Sequence, residues 1–171
     1  MAFAKTRDGT RLYYEEVGSG TPVVFLHEFA GDYRSWEHQM RYFSRRHRCI
    51  AYSARGYLPS DIPASPDAYS FRDFMSDAID LMDQLAIRRA HVVGLSMGGY
   101  TTLQVGLNHP DRAMSLTLAA TGSGSPSGRI PARCSGDGSA VRDAWRCRGR
   151  NDLRIGTRPG SLRRQGPARL L

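Results

Sequence analysis

The run from Ala90 to Tyr100, Ala-His-Val-Val-Gly-Leu-Ser-Met-Gly-Gly-Tyr, constrains this chain more than any other stretch. It reads as a short buried strand, a Gly-x-Ser-x-Gly turn and the start of a helix. In that order a serine oxygen is presented above the strand end while backbone N–H groups face an incoming carbonyl. Gly94 and Gly98 flank Ser96 because a side chain at either position clashes in so sharp a turn, and Gly99 lets the helix pack close to the strand. The context matters more than the five letters: Val92 and Val93 precede the turn, and Tyr100-Thr-Thr-Leu-Gln104 opens a helix.

The rest of the N-terminal segment has the same alternation. Stretches 3–7 and 11–17 flank Asp8-Gly9, a pair that favours positive φ and predicts a tight hairpin. Apolar runs without alternation at 23–26, 49–52, 90–95 and 113–120 predict strands covered on both faces. Trp36, Met40 and Phe43 recur at helical spacing. Ser70 with Asp73 three residues on predicts a capped helix, whose inner face carries Phe71, Phe74, Met75, Ala78, Leu81, Met82 and Leu85. Residues 98–108 predict the next helix. Strand and helix in turn predict an α/β fold, a mostly parallel sheet with helices on both faces.

Charge divides the chain in two. Residues 1–122 hold 13 Lys or Arg against 13 Asp or Glu, whereas residues 123–171 hold eleven Arg against three Asp. The net charge of +8 therefore describes the second segment. That segment also has eight Gly and four Pro, one aromatic residue (Trp145) and no His, Lys or Glu, so it is expected to be disordered. Cys49, Cys134 and Cys147 are odd in number and lack metal-type spacing. No apolar run approaches the roughly 18 residues a membrane span needs, and the N-terminus does not read as a leader. The expectation is a cytoplasmic protein with no metal, no cofactor and no membrane partner.

The residues from Lys5 to Ala120 resemble the α/β-hydrolase superfamily. The likeness rests on Asp8-Gly-Thr-Arg-Leu-Tyr-Tyr-Glu15, Pro22-Val-Val-Phe-Leu-His27, Tyr52-Ser-Ala-Arg-Gly-Tyr57 with Ser60-Asp61, the turn at Ser96, and His109-Pro-Asp-Arg112, collinear over about two thirds of the chain. The resemblance implies a serine hydrolase acting on ester or similar acyl bonds of small molecules. Ser96 is its catalytic nucleophile, and the backbone N–H groups of Phe29 and Met97 form the oxyanion hole. It further implies that His27 shapes its loop instead of acting as base, and that Arg55 and Asp61 brace the loop after the second core strand. Relatives acting on epoxides or haloalkanes generally attack with aspartate, so Ser96 argues against those substrates. Three positions depart from the usual pattern: Glu28 replaces a common glycine, Ser53 an aspartate and Leu58 a glycine. A carboxylate at Glu28 either repels developing negative charge or points to solvent, and both alternatives stand at this level.

Relatives place an acid and then a histidine after the nucleophile, yet this chain has no histidine after His109, and its remaining acids are Asp111, Asp137, Asp143 and Asp152. Without a base, Ser96 stays a neutral alcohol. The expectation is a hydrolase domain incomplete at its C-terminus over 1–122, inactive alone, followed by an Arg/Gly/Pro-rich segment 123–171. The composition of that segment is what GC-rich DNA gives out of frame, and reading the other two frames tests this. The alternative is a non-catalytic binding module whose eleven arginines contact nucleic acid or an anionic surface. Without interleaved aromatics or a recognition pattern, specific nucleic-acid binding is not expected.

Overall fold

The computed structural model describes residues 2–122; the expectations for 123–171 lie outside the described residues. In chain order the elements are β1 (Ala2–Lys5), β2 (Arg11–Val17), β3 (Thr21–Leu26), α1 (Glu37–Phe43), β4 (His47–Tyr52), α2 (Phe71–Gln84), β5 (Ala90–Leu95), α3 (Met97–Asn108) and β6 (Ala113–Ala119). They form one sheet in the order β1-β2-β4-β3-β5-β6. The first two strands are antiparallel to their neighbours, and β4, β3, β5 and β6 run parallel. This is the predicted mostly parallel α/β architecture.

The chain winds outward from β3 to β4, then crosses back through α2 to β5. The strand order thus reverses around β3, and in such sheets the crevice for a ligand opens at the carboxyl ends of the strands flanking the reversal. Both the loop after β3 and the turn after β5 emerge there.

The apolar strands lack alternation because each face is covered. Val23, Phe25, Cys49 and Ala51 pack under Trp36 and Met40 on the α1 face. Val24, Leu26, Ile50 and Val92 pack on the other face against Met75, Ala78 and Leu81 of α2 and Val105 of α3. The predicted cap of α2 is present. The Ser70 hydroxyl accepts from the Asp73 N–H at 3.2 Å and the Asp73 carboxylate accepts from the Ser70 N–H at 3.0 Å, a reciprocal pair worth about 1 kcal/mol. Phe71 departs from the expected inner face: it is 48% exposed and packs edge-on against Tyr100 of α3, with ring centroids 4.3 Å apart.

The β1–β2 connection is longer than the tight hairpin that Asp8-Gly9 predicts. Lys5 pairs with Arg11, leaving Thr6 to Thr10 as the loop. Gly9 does take positive φ, at 93°. Side chains close the turn, since the Thr6 hydroxyl donates to the Thr10 carbonyl at 3.0 Å and the Asp8 carboxylate accepts from the Thr10 N–H at 3.1 Å. Local hydrogen bonding by Thr and Asp supplies an alternative to a two-residue turn.

Candidate active site

Ser96 lies between the last residue of β5 and the first of α3, with φ 51° and ψ −110°. A side chain in that region costs of order 1–3 kcal/mol, so the surrounding structure must impose it. The Ser96 N–H donates to the Ala119 carbonyl at 2.8 Å, and the Ser96 carbonyl accepts from the Tyr100 N–H at 2.9 Å. The turn is thereby pinned between the end of β6 and the first turn of α3. The glycines are where the sequence requires them. A Cβ on Gly94 would lie 2.2 Å from the Gly98 carbonyl oxygen, and one on Gly98 would lie 2.2 Å from the Leu26 carbonyl oxygen. Gly98 therefore seats the start of α3 directly on the exit of β3, which sets the Ser96 turn beside the loop that follows.

In that loop His27 is buried, and both ring nitrogens are engaged. Nε2 accepts from the Ala54 N–H at 3.0 Å, which leaves the proton on Nδ1, which donates to the Glu28 carbonyl at 2.7 Å. Burial pushes its pKa down, against weaker opposing contributions from Glu28 and Asp32, and the neutral ring serves as a strut between the β3 and β4 loops. The Glu28 carbonyl also accepts from the Gly31 N–H at 3.1 Å, closing a turn in which Ala30 sits at φ 62°. Phe29, within this turn, exposes 75% of its surface and meets Tyr57 edge-on at 6.5 Å, and the Tyr57 hydroxyl reaches the Met97 sulfur at 3.5 Å. Neither the Phe29 nor the Met97 N–H is taken by a backbone carbonyl among the described residues; Met97, as the first residue of α3, has no intrahelical partner.

The Glu28 carboxylate does not extend into solvent. It folds back into its own loop, where Oε1 accepts from the Ser35 hydroxyl at 3.0 Å and lies against Gly31, so closely that a Cβ there would be 2.5 Å away.

The loop after β4 is held by buried charge. Arg55 is 2% exposed and forks onto Asp77 of α2 at 2.7 and 2.6 Å, while also donating to the Ala68 carbonyl at 3.0 Å and meeting Asp8 at 2.8 Å. Hydrogen bonding to Asp77 raises the Arg55 pKa, while burial pushes the Asp77 carboxyl up to about 6 against the pull of the guanidinium. Asp61 accepts from the Arg11 guanidinium on both oxygens, Oδ1 from Nη2 at 2.8 Å and Oδ2 from Nε at 3.2 Å. Ser60 ties this loop to β2: its hydroxyl accepts from the Tyr13 N–H at 2.8 Å and donates to the Ser53 carbonyl at 2.6 Å. Asp77 and Asp80 escaped the sequence reading. Asp77 follows Phe74 by three positions and precedes Leu81 by four, so helical spacing alone puts it on the inner face.

The five histidines are all described, and none hydrogen-bonds to Ser96. His47 and His91 begin their strands at the opposite edge of the sheet, with ring centroids 6.2 Å apart, and His91 Nδ1 is 2.7 Å from the Ser115 hydroxyl. His109 caps the far end of α3, roughly 18 Å from Ser96 at 1.5 Å per residue. His38 is exposed on α1. Among the described residues no group of three or more His, Cys, Asp or Glu is placed to hold a metal ion, and no helix is long and apolar enough to cross a membrane.

A family model described as the alpha/beta hydrolase fold matches residues 21–145. The chain belongs to this family. The alpha/beta hydrolase match runs beyond residue 122, where the charge balance changes. Epoxide hydrolase 2 of Siraitia grosvenorii is 34% identical over 110 residues, covering 64% of this chain and 35% of that protein. The 3-oxoadipate enol-lactonase 1 of Acinetobacter baylyi is 31% identical over 97 residues, covering 57% of this chain and 35% of that one. Among solved structures, an esterase from Exiguobacterium antarcticum superposes with a TM-score of 0.67 at 34% identity, over 71% of this chain and 46% of the esterase. The chain spans about a third of the length of these two curated relatives. Relatives with different named activities thus each match well over half of this chain.

Proposed function

We propose that this chain carries the nucleophile half of a serine hydrolase for ester or similar acyl bonds of small molecules. The observation that carries the reading is Ser96 held at φ 51° between β5 and α3, a conformation a serine adopts only when the surroundings enforce it. In this reading Ser96 Oγ attacks the acyl carbon, and the Phe29 and Met97 N–H groups receive the developing oxyanion. Gly94 and Gly98 permit the turn. Serine at this position favours acyl substrates over epoxides, although epoxide hydrolases are among the relatives.

A polypeptide of these 171 residues is expected to be nearly inactive by itself, because His27 is locked as a strut and the other histidines lie away from Ser96. Loss of the base in a catalytic triad costs up to roughly 10⁶-fold in kcat. The test is labelling by a fluorophosphonate, read by peptide mass spectrometry with increasing free imidazole in the buffer. Labelling at Ser96 that rises with imidazole supports the reading. No labelling of Ser96 at any imidazole concentration contradicts it, and salt-sensitive nucleic-acid binding that requires residues 123–171 would favour the binding-module alternative.

A further inference from the structure

We propose that Glu28 is a positioning residue for the oxyanion loop. The proposal rests on the hydrolase reading above and assigns the loop's geometry to one residue, through its carbonyl and its carboxylate. Residues 28–31 form a turn closed by the Gly31 N–H on the Glu28 carbonyl at 3.1 Å, with Ala30 forced to φ 62°. Such a turn is disfavoured for alanine by about 1–2 kcal/mol and needs an external hold. Two holds are present, and both belong to Glu28. Its carbonyl accepts from the buried His27 ring at 2.7 Å. Its carboxylate folds over Gly31 and accepts from the Ser35 hydroxyl at 3.0 Å, tying the turn to the segment that leads into α1. Gly31 is then glycine because the carboxylate fills the space a Cβ would need.

The second carboxylate oxygen, Oε2, is buried with no hydrogen-bond partner among the described residues. A buried acceptor without a donor costs stability, so stability is a poor reason for a glutamate here. Its place is explained by what it positions, the Phe29 N–H, in the middle of the turn.

The test separates positioning from folding and does not require the missing base. In a Ser96→Cys background of the full chain the thiolate attacks 4-nitrophenyl acetate. The C–S bond forms, the carbonyl electron pair moves onto oxygen as an oxyanion, and its collapse breaks the C–O bond to release 4-nitrophenolate. Alkylation of the same thiol by iodoacetamide releases iodide and passes through no oxyanion. Mass spectrometry of the peptide containing position 96 keeps Cys49, Cys134 and Cys147 out of both rates. Adding Glu28→Ala is expected to slow acylation about tenfold, a part of what deleting an oxyanion donor costs, with alkylation unchanged. Glu28→Gln, which retains a carbonyl for the Ser35 hydroxyl, is expected to restore acylation, and Ser35→Ala to give a smaller loss in the same direction. Acylation unaffected by Glu28→Ala overturns the proposal, as does an equal fall in both rates. A rise in acylation for both Glu28 variants also overturns it, because the carboxylate would then act as a repelling charge. A Ser96→Cys thiol that is alkylated but never acylated removes the hydrolase reading and this proposal with it.

Discussion

The two edges of the parallel sheet hold similar residues in different backbones. At the carboxyl edge Ser96 stands alone on a strained turn, with no histidine bonded to it. At the amino edge Ser115 sits in β6, 2.7 Å from the His91 ring, with His47 next to it. A serine beside an imidazole is therefore present in this molecule, but in the wrong place. Ser115 lies in a strand paired with β5 on one side, and its backbone carries none of the positive-φ strain of Ser96. The contrast teaches that backbone strain and a serine–imidazole pair arise independently in this molecule: the proposed nucleophile has the first and Ser115 the second.

Substitutions sharpen that contrast. The largest expected effect is at the supports of the carboxyl edge. Asp77→Ala leaves Arg55, its side chain 3% exposed, without its forked partner, and should cost about 3–5 kcal/mol in denaturant unfolding. Next, Gly98→Ala drives a methyl to within 2.2 Å of the Leu26 carbonyl oxygen and should cost about 3 kcal/mol or abolish folding, whereas Gly122→Ala, with nothing within 4 Å among the described residues, should be nearly neutral.

Much of this was legible in the sequence, for local reasons. The strands announce themselves through continuous apolar runs, α2 through its Ser70–Asp73 cap, and the Ser96 turn through glycines whose backbone contacts leave no room for a Cβ. Less visible were features that depend on tertiary contacts. Asp77 drew no notice in the sequence because its partner Arg55 arrives from another element. The Glu28 orientation depended on Ser35, seven residues on, and the β1–β2 turn on side-chain bonds from Thr6 and Asp8. The His91–Ser115 pair joins residues 24 apart in sequence, brought together only by the register of β5 and β6.

At the smaller end, the two serines should respond in opposite senses. Ser96→Gly removes a strained side chain and should raise stability by about 1 kcal/mol. Ser115→Ala removes one hydrogen bond and should lower it by about 1 kcal/mol. A matching sign at the two positions would break the contrast between the edges. The smallest effect is on pH dependence. Burial lowers the folded pKa of both His27 and His91, His47 adding to the effect at His91, so their stabilising contribution is full above the ordinary imidazole value of 6.5. It is lost as the pH falls from there towards the folded values, because the unfolded chain binds the protons first. Thermal midpoints should drop between pH 7.5 and pH 5.5 (roughly the titration window of imidazole), and His91→Gln should flatten the slope.

Ser96, the proposed nucleophile, is served by none of the histidines of this chain. Turnover of 4-nitrophenyl acetate by the purified 171-residue chain, beside its Ser96→Ala variant, tests it most directly. The account predicts that both run at the rate of buffer alone. Turnover far above that rate, abolished by Ser96→Ala, would contradict it.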